Sequence, residues 1–343
     1  MRGVNLMADT LVTEVAENLF RIRLPMPFGL DHINVYLLKE PDGVVLVDCG
    51  LDMPESHQKL DEGLAQLGLS PDRLTDIFVT HAHPDHIGQL ERLRRLAPGA
   101  HLYLHRREYQ PLQERLTDQT GVTHRMSNWL ERNGVTQLSG GMAGSGVNYL
   151  PEIHPGDRLL AGGESFRFDK PSLANPTTQD RIQGAWEVFW TPGHTAGHYV
   201  LYNRDRRLLL SGDHLLGSIS SNIGKYPGST DDPLGDFIAS LEQIRHLDIG
   251  EVLPAHGPTF SNYLERIDDL EDHHQVRLGR IYAALEGGPR TAAQVVETIW
   301  GDRARGFHRI LALGEALSHL ERLRLEGRVV AEETSDRVWF RAA

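Results

Sequence analysis

Three histidines and one aspartate fall within six residues in Thr80-His81-Ala82-His83-Pro84-Asp85-His86. Imidazole nitrogen and carboxylate oxygen are the ligands that borderline metals such as zinc prefer. An H-x-H-x-D-H spacing is far more specified than a lone histidine pair, so a polar loop that merely holds histidines is the weaker reading. Further on, His194 stands in Thr191-Pro192-Gly193-His194-Thr195, Asp213 in Ser211-Gly212-Asp213-His214, and His256 in Pro254-Ala255-His256-Gly257. Each pairs a ligand residue type with a nearby glycine or proline, where backbone can approach closely. Taken singly, His194 or His256 reads as an ordinary histidine. With the first cluster they make five histidines and two aspartates. That set suits two divalent cations with room for bound water.

Such ligands need rigid supports. Apolar Ile77-Phe78-Val79 reads as a short buried strand, and residues 86–96 carry helix-like spacing. The first cluster therefore sits on a strand-to-helix loop, stiffened by Pro84. Strands are also predicted over 187–190, 208–211 and 251–253, ending just before His194, Asp213 and His256. Others are predicted over 19–24, 33–38, 44–47, 101–104 and 199–202, with helices over 54–67 and 233–247. This alternation predicts a layered α/β domain. Between about 105 and 180 the pattern changes, to helices over 106–116 and 122–132 and a glycine-dense stretch, Gly140-Gly141-Met142-Ala143-Gly144-Ser145-Gly146. No Gly-Lys-Ser/Thr follows it, so it does not read as a phosphate-binding loop. A mobile lid and a plain surface loop stay equally open for it.

The chain has 343 residues, 40% apolar and 24% charged, which suggests two domains of ordinary globular composition. A net charge of −12 argues against long-range steering toward nucleic acid. The single cysteine, Cys49, excludes an intrachain disulfide framework and fits a reducing compartment. No apolar stretch approaches the roughly 20 residues of a membrane helix, and residues 1–18 lack a signal-peptide core. A cytoplasmic protein without membrane partners is expected. Residues 1–260 form the first domain, with a helical cap inserted at about 105–180. Residues 261–343 form a second, with helices over 262–285, 291–299 and 306–325 and strands over 328–331 and 337–340. Helix, helix, helix, hairpin is the order of a winged-helix module. Twelve Lys and Arg against fourteen Asp and Glu leave this tail at −2, unlike a dedicated DNA reader. A packing or homodimerisation element is favoured over nucleic-acid binding.

His81-x-His83-x-Asp85-His86, followed in order by His194, Asp213 and His256, resembles the metallo-β-lactamase-fold hydrolases over about residues 15–260. The resemblance implies a four-layer αββα sandwich with two metals at one edge. His81, His83 and His194 would hold one metal, Asp85, His86 and His256 the other, and Asp213 would bridge them. The tail resembles the winged-helix domain of the β-lactamase-like ribonuclease branch, in element order and in the helix Leu313-Gly314-Glu315-Ala316-Leu317-Ser318-His319-Leu320. Zinc is the expected metal. His83 stands where the diiron flavoprotein branch would have a glutamate, although ligand type alone leaves iron or manganese open.

Two such cations would make a zinc-dependent hydrolase. A water shared by them loses a proton near neutral pH and becomes a hydroxide nucleophile, which Asp85 can orient. Tyr226 and Lys225 are candidate donors to the leaving group. His198, His214 and Asp48 are expected to orient ligands by hydrogen bonding. Asn34 and Tyr36 would line the pocket or simply pack. A small acyl ester, thioester or lactone is the expected substrate. The tail does not resemble the glutathione-gripping helices of the glyoxalase II branch, and the RNA-gripping arms of the tRNA-processing branch are not found. Single-strand RNA cleavage is the alternative, and it should show a basic, aromatic-lined groove. A non-catalytic metal-binding scaffold is the third reading, but such a protein should have lost ligands, and none is missing.

Overall fold

Alternation along β-strands sorts apolar side chains onto opposite faces, and here that sorting builds the layers. The computed structural model describes residues 10–27, 29–40, 43–136, 151, 153–167 and 184–343. Strands β1 (Val12–Ala16), β2 (Leu19–Pro25), β3 (His32–Glu40) and β4 (Gly43–Val47) pair antiparallel in succession. Helix α1 (Pro54–Gln66) then carries the chain to β5 (Asp76–Val79), parallel to β4. Helices α2 (Pro84–Ile87) and α3 (Leu90–Leu96) lead to β6 (His101–His105), which is parallel to β5. After α4 (Arg106–Thr117) and α5 (Gln119–Arg132), β7 (Arg158–Leu160) completes a seven-stranded sheet in sequence order.

The second sheet contains β8 (Ser165–Phe166), β9 (Trp186–Trp190), β10 (Tyr199–Asn203), β11 (Leu208–Gly212) and β12 (Glu251–Pro254), in the order β12-β11-β10-β9-β8. Tyr36, Leu38 and Phe78 of the first sheet meet Tyr199, Leu201 and Leu253 of the second in a buried layer between them. The alternate residues Ile33, Val35 and Leu37 face outward onto Leu60, Leu64, Leu90 and Leu93 of α1 and α3. Val200 and Tyr202 face outward onto Leu234, Phe237 and Leu241 of α6 (Pro233–Arg245). The result is helix, sheet, sheet, helix, the expected four layers.

Helices α7 (Tyr263–Ala283), α8 (Ala292–Trp300) and α9 (Phe307–Leu325) precede a hairpin of β13 (Val329–Glu333) and β14 (Val338–Ala342). Their core is continuous with the outer face of the second sheet: Leu270, Leu278, Leu313 and Leu320 join the cluster that holds Phe237. Among the described residues no helix is long and apolar enough to cross a membrane.

Three features differ from the sequence expectation. The helix expected over 86–96 is two helices: the backbone leaves helical geometry at Gln89 (φ −84°, ψ 2°), just after Gly88, which is pressed against the β4–α1 turn. A Cβ there would lie 2.6 Å from Asp52 N and 2.8 Å from Gly50 O. Strand β1 and the short strands β7 and β8 were not read from the sequence. Within the insertion expected over 105–180, the described residues form α4 and α5, then two strands that join the two sheets. The glycine-dense stretch Gly140 to Gly146 lies outside the described residues.

Candidate metal centre

Strand direction brings the ligand loops together. β4 and β5 run parallel. β10 is antiparallel to both β9 and β11, and β12 is parallel to β11. β9, β11 and β12 therefore share one direction, and in each sheet the loops that follow the co-directional strands leave from one edge. They carry Asp48, the 80–86 cluster, His194, Asp213 and His256. β3 fastens the two sheets there: Asn34 Nδ2 donates to Pro254 O at 3.0 Å and Gly257 O at 2.8 Å, and Tyr36 donates its hydroxyl hydrogen to Pro254 O at 2.8 Å.

Ligand atoms of His81, His83, His194 and Asp213 lie within 4.8 Å of one another, and so do those of Asp85, His86 and His256. In the first group His83 Nδ1 is 2.9 Å from His81 Nε2 and 3.0 Å from His194 Nε2. In the second, His256 Nε2 is 3.3 Å from Asp85 Oδ2, and His86 Nε2 is 3.6 Å from the same oxygen. Asp213 spans the two. Its Oδ2 is 3.4 Å from His194 Nε2, and its Oδ1 is 3.5 Å from His86 Nε2 and 3.3 Å from His256 Nε2.

Three rings are aimed by a hydrogen bond at the opposite nitrogen. His86 Nδ1 donates to Asp48 Oδ2 at 2.8 Å, His194 Nδ1 to Asn222 O at 2.9 Å, and His256 Nδ1 to His32 O at 2.9 Å. A proton fixed on Nδ1 leaves the Nε2 lone pair facing inward. Asp48 takes a left-handed backbone (φ 62°), a conformation that costs a non-glycine residue about 1–3 kcal/mol. In return its carboxylate also accepts from Thr80 N at 2.8 Å and Thr80 Oγ1 at 3.0 Å. His198 is fully buried. Its Nδ1 donates to Thr191 Oγ1 at 2.9 Å and its Nε2 accepts from Asp213 N at 3.1 Å. Gly212 (φ 50°) makes room for that ring, since a Cβ would lie 2.7 Å from His198 Nε2. His214 differs from the expectation: its ring is buried against Phe237, centroids 5.0 Å apart, and among the described residues it makes no hydrogen bond to a candidate ligand.

The donor set fits cations. Burial, with neighbouring imidazoles, pushes His81 well below the usual histidine range, and burial takes His83 down to about 3. Both are thereby held in the neutral form that ligates. Burial resists charge on Asp213, yet His256, His86 and His194 hold its carboxyl well below the usual range. Buried His86 Nε2 and Asp213 Oδ1 face each other across the centre without a hydrogen-bond partner among the described residues. Unpaired buried polar atoms are rare in native structures and need an explanation, which a cation between these two would supply.

The two candidate donors are engaged by the chain itself. Lys225 Nζ donates to Thr230 O at 3.2 Å and Asp231 O at 2.8 Å, and the Tyr226 hydroxyl donates to Asn222 Oδ1 at 3.0 Å. Cys49 is free and buried, and burial raises its thiol well above the usual range.

Sequence reasoning missed Glu108. It sits buried on α4 and its two oxygens accept from Ala82 N at 2.8 Å and Gly197 N at 2.7 Å. One carboxylate thus ties the loop of His81 and His83 to the loop of His194. Burial raises the Glu108 carboxyl above its ordinary value.

Comparison with known proteins gives the family and the fold. Residues 28–256 match the metallo-beta-lactamase superfamily, and residues 278–343 match the metallo-beta-lactamase-like C-terminal domain. The probable metallo-hydrolase YqjP of Bacillus subtilis (strain 168) is 25% identical over 339 residues, 95% of this chain and 98% of the relative. An atrochrysone carboxyl ACP thioesterase of Aspergillus fumigatus is 20% identical, over 81% of this chain and 71% of its own. The crystal structure of a metallo-beta-lactamase family protein from Thermus thermophilus superposes with a TM-score of 0.81 at 27% identity, covering 96% of this chain and 100% of that one. The chain belongs to the metallo-beta-lactamase superfamily, with the fold and the His/Asp cluster of a metallo-hydrolase.

Proposed function

We propose that this metallo-hydrolase binds two divalent cations, zinc in the resting protein, and hydrolyses a small acyl ester, thioester or lactone. The observation that carries the two-cation reading is Asp213, whose two oxygens face different ligand groups at 3.3–3.5 Å. His81, His83 and His194 would hold one cation, Asp85, His86 and His256 the other, with Asp213 shared. Cations so held supply Lewis acidity toward a carbonyl oxygen and acidify a water.

The chain's own residues do the rest. Asp85, with 16% of its side chain exposed, lies on the solvent side of the second group. There its carboxylate accepts a hydrogen bond from the attacking water and aims it. Asp48, Asn222 O and His32 O keep three imidazoles in the tautomer that presents Nε2. The acyl substrate is favoured by the net charge of −12, which repels a polyanion, and by the likeness to a relative named as a thioesterase. We place residues 261–343 in a winged-helix arrangement that packs on the catalytic domain and reads no RNA. A cytoplasmic location fits this reading.

The test is turnover by purified, metal-quantified protein of an acyl thioester, a lactone, a phosphodiester and a fluorescent single-stranded RNA, each with and without chelator. Chelator-sensitive acyl hydrolysis without RNA cleavage is expected. Chelator-sensitive RNA cleavage would replace the acyl reading with the ribonuclease one, and turnover by metal-free protein would sink both.

A further inference from the structure

The loop after Asp213 touches the centre on one side and the C-terminal helix α9 on the other. Toward the centre, Ser221 Oγ donates to the backbone carbonyl of Asp213, and Asn222 O accepts from His194 Nδ1 at 2.9 Å. Toward the C-terminal region, Asn222 Nδ2 donates to Leu311 O at 3.3 Å and Lys225 N donates to Gly314 O at 2.9 Å. Tyr226 locks the turn between these contacts. Its hydroxyl donates to Asn222 Oδ1 at 3.0 Å, and its ring lies between Trp129 of α5 and Gly314 of α9. Gly314 has no room for a side chain there: a Cβ would stand 2.5 Å from Tyr226 Oη.

We propose that α9 is a positioning element of the metal centre, acting through Asn222 on His194. Side-chain anchors on both amide atoms of Asn222 fix the direction of its own carbonyl. That carbonyl fixes the His194 tautomer and ring plane, which decide how well Nε2 ligates. The C-terminal region thereby completes the first ligand group rather than being merely appended to the catalytic layers. This rests on the reading of His194 as a ligand.

The experiment uses the full chain loaded with cobalt(II), reading metal affinity by chelator competition and the visible absorption of the bound ion. Asn222→Ala should weaken one of the two cobalt ions by roughly 10-fold or more, within the range found for residues that orient metal ligands, and should shift its absorption. Tyr226→Phe should move both readouts the same way by less. Arg322→Ala removes a different tie of α9, the 2.9 Å ion pair with Asp232, and should leave both readouts at the wild-type value. An unchanged absorption and affinity in N222A overturns the proposal, as does a loss in R322A equal to that in N222A. Should N222A fail to fold, an unchanged absorption in Y226F overturns it instead. His194→Ala separates the two layers of inference. If it binds both ions as tightly as wild type, the ligand reading falls and this proposal with it. If it loses one ion while N222A and Y226F lose none, only the brace is wrong.

Discussion

Asp48 Oδ2 lies 2.8 Å from His86 Nδ1, and that contact turns the opposite nitrogen of the ring toward Asp213. Both side chains are buried. The carboxylate also accepts two bonds from Thr80, the residue before the first ligand histidine. One acid therefore sets the tautomer of His86 and anchors the start of the H-x-H-x-D-H loop.

Asp48→Asn should weaken binding of one cation by about 10- to 100-fold. An amide oriented to accept from Thr80 presents its NH2 group to His86 Nδ1, which already bears a proton. The ring escapes by moving that proton to Nε2, and so loses the inward lone pair. Metal titration of purified D48N reads this directly. Affinity equal to wild type for both ions would show that Asp48 does not orient His86.

Glu108→Gln should destabilise the fold by about 1–3 kcal/mol, the cost of leaving one buried donor unsatisfied. Each carboxylate oxygen accepts a backbone N–H, a part-buried one from Ala82 and a buried one from Gly197. Glutamine keeps one acceptor and sets its NH2 against the other amide. Because these amides lie in the two loops that carry His81, His83 and His194, metal affinity should fall together with stability. Urea unfolding with and without added metal checks both, and a stability loss without any change in affinity would confine Glu108 to the scaffold.

What the sequence disclosed and what it hid have a common physical basis. The candidate ligand histidines were legible because three of them share the tight H-x-H-x-D-H spacing just after the apolar run 77–79, while His194 and His256 follow short apolar runs and adjoin Gly193 and Gly257. Strand direction then makes the ends of such runs converge. Glu108 was not legible because it is an isolated acid in a polar helix. Its partners are backbone amides 26 and 89 residues away, and backbone amides leave no mark on composition. The Asn222 carbonyl is hidden for the same reason. β7 and β8, of three and two residues, are too short to show a period at all. Tyr226 and Lys225 were noticed from their place after the Asp213 loop, and position alone did not reveal that both bond to the chain itself.

Stability should decline as the pH falls below about 6.5, partly through a histidine pair outside the candidate metal centre. His274 Nδ1 lies 3.2 Å from His319 Nε2, and His319 Nδ1 donates to Glu315 O at 2.7 Å. Burial, with His319, His273 and Arg277 nearby, takes His274 down to about 3. Burial takes His319 down to about 4, with Arg277 and His273 adding to it and the Glu315 carbonyl opposing. Both are depressed in the folded state, so the unfolded chain takes up protons first as pH falls. The full contribution is present above about 6.5, the ordinary histidine value, and is lost progressively toward about 4 and 3. Each such group contributes a slope of up to about 1.4 kcal/mol per pH unit in that window. His319→Gln should unfold with a shallower pH dependence between 6.5 and 5 than wild type. An identical slope would mean that the pair is already protonated in the fold.

Asp213→Asn separates a shared centre from two independent ones. The Asp213 carboxylate places Oδ2 near His194 and Oδ1 near His86 and His256, so each ligand group draws on one oxygen. An amide retains one oxygen and turns an NH2 donor toward the other group, adding a positive dipole where a cation should bind. D213N should therefore weaken both ions, whereas His81→Ala should weaken chiefly the one held with His83 and His194. Binding that stabilises the fold scales with ligand over Kd, reaching about 2.7 kcal/mol at a hundredfold excess. Wild-type protein should accordingly gain melting temperature in two resolvable phases as metal is titrated, and D213N should need higher metal for both. If D213N shifts only one phase, Asp213 belongs to a single ion and its second oxygen serves only to face its neighbours.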